Sequence, residues 1–304
     1  KGLIMELAEK RIDYRDNSTP IYIYPIGDVH MGAYNCAEGH FRKYVDYIKK
    51  QKNAYWVGGG DLCDCIVPSD ASRYDVRSLA DWIFTGDAMT VKEALTDIAK
   101  QERERVTEIL WPIRDRCLGL IAGNHEEQLM RRSYNAHHYI MCDALKAPNL
   151  TDCAFVRLSL QNPSRVVSTV VIFLHHGFGG GRTPGAEPNH MARLRAFIDA
   201  DIILRGHSHS FRIEPPQPIL CIPRKGSLPD ECNQREIKSA NWGCWLKSYA
   251  RGPSTYDSRM AYPARTLTAL EIEIKPRKHK KKTVAGRGVD SRAPLITMRE
   301  CSYE

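Results

Sequence analysis

The chain contains no apolar run of 18 residues, so no segment is long enough to cross a membrane as a helix, and no basic stretch followed by an apolar one opens it as a secretory signal would. None of its ten cysteines forms a Cys-x-x-Cys pair, and a chain of 304 residues is too long to need disulfide staples. Reduced thiols and a cytoplasmic location are therefore expected. The one close pair, Cys63 and Cys65, reads as small buried filler in a loop, with thiolate ligation of a metal as the alternative. No glycine-rich stretch ends in Gly-Lys-Ser/Thr, which excludes a nucleotide-binding loop of the Walker type, and no internal repeat of fixed period is present.

Acidic residues are missing from one place in particular. Between Lys275 and Arg287 there are seven basic residues and no acidic one, and outside that stretch 37 basic residues face 36 acidic ones. Almost all of the net charge of +8 is thus concentrated near the carboxyl end. A run such as Lys278 to Lys282 resists packing, so residues 276–304 are expected to form a flexible or loosely docked tail. It would either attract a polyanion such as nucleic acid or serve as a solvated linker. Residues 1–20 read as a polar leader with one short helix over Leu3 to Arg11, and 21–275 as a single domain. At 42% hydrophobic and 26% charged, the chain can bury one good-sized core.

Within that domain, apolar runs alternate with segments of helical period, which argues an α/β class. Strands are expected at Ile21 to Tyr24, Ala54 to Val57, Leu118 to Ala122, Ala154 to Leu160, Ser168 to Leu174 and Asp201 to Leu204. Later strands follow at Ile219 to Pro223, Gly243 to Ser248 and Thr266 to Ile274. Helices are expected over Gly39 to Gln51, Val91 to Arg116 (interrupted near Pro112), Glu126 to Arg132, Ala136 to Lys146 and His190 to Ala200. Pro68 to Thr90 has no clean period and reads as an insertion able to shape substrate choice.

Five of these apolar runs end in glycine accompanied by Asp, Asn or His: Gly27-Asp28-Val29-His30, Gly60-Asp61, Gly123-Asn124-His125-Glu126, His175-His176-Gly177 and Gly206-His207-Ser208-His209. In open α/β sheets, functional groups gather at the carboxyl ends of strands, and mixed imidazole and oxygen donors suit a transition metal or zinc.

In this order the five stretches resemble the calcineurin-like metallophosphoesterase superfamily, over residues 21–210 by motif and to about 275 by the later strands. The resemblance implies a four-layered αββα sandwich holding two divalent metal ions, manganese foremost, with iron, zinc or magnesium as alternatives. It would give one metal to Asp28, His30 and His209, the other to Asn124, His176 and His207, with Asp61 bridging. A water shared by two cations loses its proton near neutral pH and attacks phosphorus in line. His125 would stabilise the transition state or protonate the leaving oxygen, oriented by Asp64. Arg182, in the glycine-rich run Gly179 to Gly185, is a candidate for a phosphate oxygen, whereas Arg131 and Arg132 read as solvated helix residues.

The implied activity is hydrolysis of a phosphate ester, with the phosphodiester bonds of nucleic acid or nucleotides expected as substrate. The alternatives are a phosphomonoesterase and, further off, a catalytically silent accessory subunit. Against the monoesterase stands the absence of Arg-Gly after Gly-Asp-Leu-Cys-Asp. Oligomeric state is not legible.

Overall fold

The computed structural model describes residues 5–14, 19–85, 91–133, 136–162, 165–179, 185–221, 233–276, 281–284, 287–290 and 294–303. In chain order its elements begin with β1 (Glu6–Asp13), β2 (Ile21–Ile26), α1 (Glu38–Lys50), β3 (Ala54–Gly58), α2 (Val91–Thr96), α3 (Ile98–Leu110), β4 (Cys117–Leu120), α4 (Asn124–Ser133), α5 (His137–Leu145), β5 (Cys153–Asn162) and β6 (Arg165–His175). They continue with α6 (Ala186–Arg195), β7 (Ile202–Arg205), β8 (Phe211–Cys221), β9 (Asn233–Trp242), α7 (Tyr256–Met260), β10 (Leu270–Lys275), β11 (Lys281–Val284), β12 (Arg287–Asp290) and β13 (Leu295–Glu300).

Alternation along β2 decides how the layers stack. Ile21 and Ile23 face one side and enter a core with Val57, Ile272 and Ile274 of the same sheet and Val156, Leu158, Ile172 and Leu204 of another. Tyr24 and Ile26 face the other side. There they pack with Phe41, Tyr44, Val45 and Ile48 of α1, which recur at helical spacing, and with Val106, Met141 and Leu145 of α3 and α5. Burying each such aliphatic side chain stabilises the fold by roughly 1.5–3 kcal/mol.

One sheet runs β13-β10-β2-β3-β4 and the other β1-β5-β6-β7-β9-β8. On the outer face of the second, Met191 and Leu194 of α6 cover Phe173, Ile203 and Ile237. The order is therefore helix, sheet, sheet, helix: a four-layered αββα sandwich.

Several local expectations need correction. The amino-terminal segment is a strand rather than a helix, because β1 pairs in parallel with β5 and buries Ile12 beneath the sheet edge. The sheet edge outweighs the helical propensity of Glu-Leu-Ala-Glu-Lys. The carboxyl end is likewise not a loose tail throughout: β13 pairs antiparallel with β10, and Cys301 and Tyr303 are buried in the core beneath α1. Between them, β11 and β12 form a two-stranded ribbon, while Arg277, Lys278 and Lys280 lie outside the described residues.

The long helix expected over 91–116 is divided at Asp97 and ends in a tight 3₁₀ turn from Trp111 that accommodates Pro112. Gly243 to Ser248 forms only an isolated bridge, Cys36 to Leu246. Strand β9, whose polar residues hide its period, has no counterpart among the expected strands. Among the described residues no helix is long and apolar enough to cross a membrane, and Cys36, Cys63, Cys65, Cys117, Cys142, Cys153, Cys244 and Cys301 are free thiols.

Candidate metal centre

Strands β2, β3 and β4 lie parallel, as do β6 and β7 in the facing sheet. Their carboxyl ends converge at one rim of the sandwich. Asp28 and His30 follow β2, Asp61 follows β3, Asn124 opens α4 after β4, His176 follows β6, and His207 and His209 follow β7. Five of these seven residues hold positive φ: Asp28 (48°), His30 (49°), Asp61 (50°), His207 (68°) and His209 (58°). Left-handed backbone is uncommon for residues with a Cβ and persists where the surroundings impose it, and half of the ten such residues among those described lie at this one rim.

The side chains form three adjoining groups, one of which, His30, Asp64 and His125, shares His30 with a neighbour. Potential ligand atoms of Asp28, His30 and His209 lie within 4.8 Å of one another, as do those of Asp61, His176 and His207. Asn124 joins the group of Asp61, its Oδ1 lying 2.7 Å from His207 Nδ1 and 3.0 Å from His176 Nε2. Asp61 stands between that group and the group of Asp28, with Oδ2 3.1 Å from His176 Nε2 and 3.8 Å from His30 Nε2.

Tautomers are fixed from behind. His176 Nδ1 donates to the Gly59 carbonyl at 2.8 Å and His30 Nδ1 faces Asp64 Oδ1 at 3.1 Å, so both Nε2 atoms are turned inward. His175 is turned away from the site, accepting the Gly177 N–H on its Nδ1.

The electrostatics of the cluster call for a cation. Asp28 and Asp61 are almost wholly buried. Burial pushes Asp28 up to about 6. Burial also acts against charge on His30, but the hydrogen bond to Asp64 and the charges of Asp61, Asp64 and Asp28 prevail and lift it to about 9. His176 rises to about 10 because Asp61 and Asp28 outweigh its burial. Burial, together with the neighbouring His176, holds His207 at about 4.

Two imidazoles are thus drawn toward the charged form to balance buried carboxylates while the others are kept neutral. Divalent cations would supply that balance directly, and this donor set fits them.

His125 is placed differently from the ligand candidates. Its Nδ1 donates to the backbone carbonyl of Asp64, and its Nε2 faces Arg73 Nη1 at 3.5 Å. The Asp64 carboxylate lies closer to His30 Nδ1 than to His125 Nδ1, at 3.1 against 3.7 Å. Asp64 therefore meets His125 through its main chain and His30 through its side chain. Arg182 lies outside the described residues.

Three supporting residues escape a reading of the sequence. Glu126, fully buried, accepts four backbone N–H groups: those of Asp61 and Gly123 at 2.9 Å on one oxygen, and those of Leu62 at 2.7 Å and Cys63 at 3.2 Å on the other. It staples the loop after β3 to the start of α4. It sits in the Gly-Asn-His-Glu motif, so its position is visible there although its work is not. Trp242 donates to Asp28 from β9, a strand with no sequence signal. Asp70, in the aperiodic insertion, binds both Arg73 and Arg132. Arg132 is thus not simply solvated.

A family model described as calcineurin-like phosphoesterase matches residues 21–211. Among solved structures, Vacuolar Protein Sorting 29 from Cryptosporidium parvum is similar at 16% identity, with 93% of this chain and 98% of that chain covered and a TM-score of 0.40. Wild-type Vps29 complexed with zinc from Entamoeba histolytica aligns at 12% identity over 93% and 100% of the two chains, with a TM-score of 0.38. A conserved uncharacterised protein from Streptococcus pneumoniae, described as a predicted phosphoesterase, aligns at 14% identity over 92% and 99%, with a TM-score of 0.32. No curated protein matches the chain.

Proposed function

The chain belongs to the calcineurin-like phosphoesterase family, and from that premise we propose that it is a metal-dependent phosphodiesterase acting on nucleic acid or nucleotides. The observation that carries this reading is the meeting, at one rim, of donor atoms from Asp28, His30, Asp61, Asn124, His176, His207 and His209, drawn from five strand ends. Asp28, His30 and His209 would hold one ion and Asn124, His176 and His207 the other, with Asp61 shared. Manganese is the ion proposed first, since the donors are nitrogen and oxygen without thiolate. Two such ions would polarise phosphoryl oxygens and lower the pKa of a water.

The chain's own residues do the rest. Glu126 holds the Asp61 backbone so that its carboxylate stays between the two groups. The Asp64 carbonyl engages His125 Nδ1–H and turns Nε2 toward Arg73 Nη1. Once substrate draws that guanidinium away, Nε2 would be the atom that hands a proton to the leaving oxygen. Support for a nucleic-acid substrate comes from the basic residues between Lys275 and Arg287, and the free thiols fit a reducing, cytoplasmic setting.

The test is a side-by-side assay of bis(p-nitrophenyl) phosphate and p-nitrophenyl phosphate with each divalent metal. Faster diester turnover, abolished by Asp61→Asn in a protein that still folds, is the expected result. Faster monoester turnover would make the chain a phosphomonoesterase. A protein that takes up no metal and turns over neither ester would be an accessory subunit.

A further inference from the structure

The segment between β3 and α2 sends one side chain into the site from outside the five strand ends. Arg73 Nη1 lies 3.5 Å from His125 Nε2. Its other edge is anchored, with Nε 2.7 Å and Nη2 2.6 Å from Asp70 Oδ2. Asp70 is 2% exposed, and its second oxygen meets Arg132 of α4 at 2.5 Å and the Ser72 hydroxyl at 3.0 Å. A backbone turn, in which Arg73 and Tyr74 donate their N–H groups to the Asp70 carbonyl, fixes the spacing between the pair.

Charge counting shows what is surplus. One carboxylate needs one cation, and Arg132 already supplies it. The second guanidinium is an excess positive charge, held by two of its nitrogens, with the third aimed at His125 Nε2. A buried acid that binds two arginines and points one of them at the proton-handling residue is poorly explained as packing. It is well explained as preorganisation of a donor for an anion.

We propose that Arg73 is a substrate-binding residue whose Nη1, which faces His125 Nε2, grips a non-bridging phosphoryl oxygen beside that imidazole, and that Asp70 is the positioning residue that fixes it. The proposal rests on the hydrolytic reading above and adds to it the group that reads the phosphate's charge. It also gives the insertion a role, since Asp70 and Arg73 both belong to it. The guanidinium fork matters here, because it can hold Asp70 by one edge and phosphate by another, which a lysine ammonium does less well.

The experiment titrates inorganic phosphate calorimetrically into the manganese-loaded full chain, for wild type, Arg73→Ala, Arg73→Lys and Asp70→Asn. Metal content and melting temperature are measured alongside. Removing one charge-assisted hydrogen bond is expected to weaken phosphate binding by about 10-fold or more in Arg73→Ala. Arg73→Lys should recover part of that affinity. Asp70→Asn should weaken phosphate while metal stoichiometry is kept, and in turnover it should raise KM more than it lowers kcat.

Phosphate affinity equal in wild type and Arg73→Ala, or no phosphate binding by the wild type, would overturn the assignment. Where Arg73→Ala lowers the melting temperature, Arg73→Gln, which keeps most of the side chain's length without its charge, replaces it. A wild type that binds phosphate through Arg73 yet hydrolyses no ester would defeat the hydrolytic reading and leave the clamp standing.

Discussion

Trp242 donates its indole Nε1–H to Asp28 Oδ2 over 2.7 Å, tying strand β9 to the end of β2. The same ring fills the space that a Cβ would need at Gly27, Gly59 and Gly206, where the nearest indole atoms would stand inside 3.0 Å. Three of the strand-end glycines are therefore small because one tryptophan passes under them. Trp242→Phe keeps most of that packing but removes the hydrogen bond. Partners that orient a ligand typically carry about 10–100-fold in metal affinity, so a reduction in that range is expected on titration with manganese. An unchanged affinity would remove Trp242 from any role in orienting Asp28.

Glu126→Gln tests the staple between the loop after β3 and α4. The carboxylate serves four backbone N–H groups, whereas an amide presents one oxygen and turns its own donors toward two of the others. At roughly 1–3 kcal/mol for each buried donor left without an acceptor, destabilisation by about 3 kcal/mol or more is expected in urea unfolding. Because Asp61 is one of the stapled residues, manganese affinity should fall in the same variant. A variant as stable as wild type would show that the four hydrogen bonds are replaceable.

Glu102 contributes with the opposite sign. It is fully buried, accepts the Cys65 N–H at 2.9 Å on one oxygen, and leaves the other without a partner. Burial, aided by the nearby Asp64, holds its carboxyl well above the ordinary value of 4.5. A carboxyl raised in the folded state binds its proton more tightly there than in the unfolded chain. Its contribution is therefore complete below about pH 4.5 and diminishes progressively as pH rises toward the folded-state value. Glu102→Gln should accordingly resist urea better than wild type at pH 8, with the gap closing near pH 4.5. A gap of equal size at both would point to packing rather than ionisation.

His125→Ala should leave both proposed metal groups in place, since its side chain clusters with His30 and Asp64 and supplies no donor to Asp28–His30–His209 or Asp61–His176–His207. Turnover is expected to fall by about 10²-fold or more, the range associated with a positioned general acid. Metal content measured on the same sample separates this from the departure of an ion. A drop in metal equal to the drop in rate would count against a proton-handling role.

The site is legible in the sequence because its chemistry is written in short stretches: the runs ending at His30, Asp61, Asn124, His176 and His209 each carry glycine and a donor where a strand gives out. The layers follow from the same runs. What cannot be read there depends on distant partners. β1 is a strand because β5 offers an edge, β9 has polar residues in a buried setting, and Trp242, Asp70 and Arg73 acquire their roles only when the chain closes on itself. Glu126 lies in plain view beside His125, but four backbone donors from two loops are not visible in a motif.

The basic stretch near the carboxyl end requires a test that spares the fold. Truncation after Pro276 would remove β13, which pairs with β10 from Leu270 opposite Glu300 to Lys275 opposite Leu295. It would also remove Tyr303, whose ring centre lies 5.4 Å from that of Tyr44 and 5.7 Å from that of Trp245. Weaker DNA binding could then reflect a damaged core. Lys281→Glu combined with Lys282→Glu changes charge in the β11–β12 ribbon and leaves β13 untouched. If the ribbon touches phosphates, the slope of log affinity against log salt should become shallower by about 0.9 for each phosphate no longer neutralised, or roughly 2 for the pair on duplex DNA. The melting temperature should not move. A slope equal to that of wild type would make the stretch a connection between β10 and β13 and leave nucleic-acid recognition to the rim that carries the candidate metal centre.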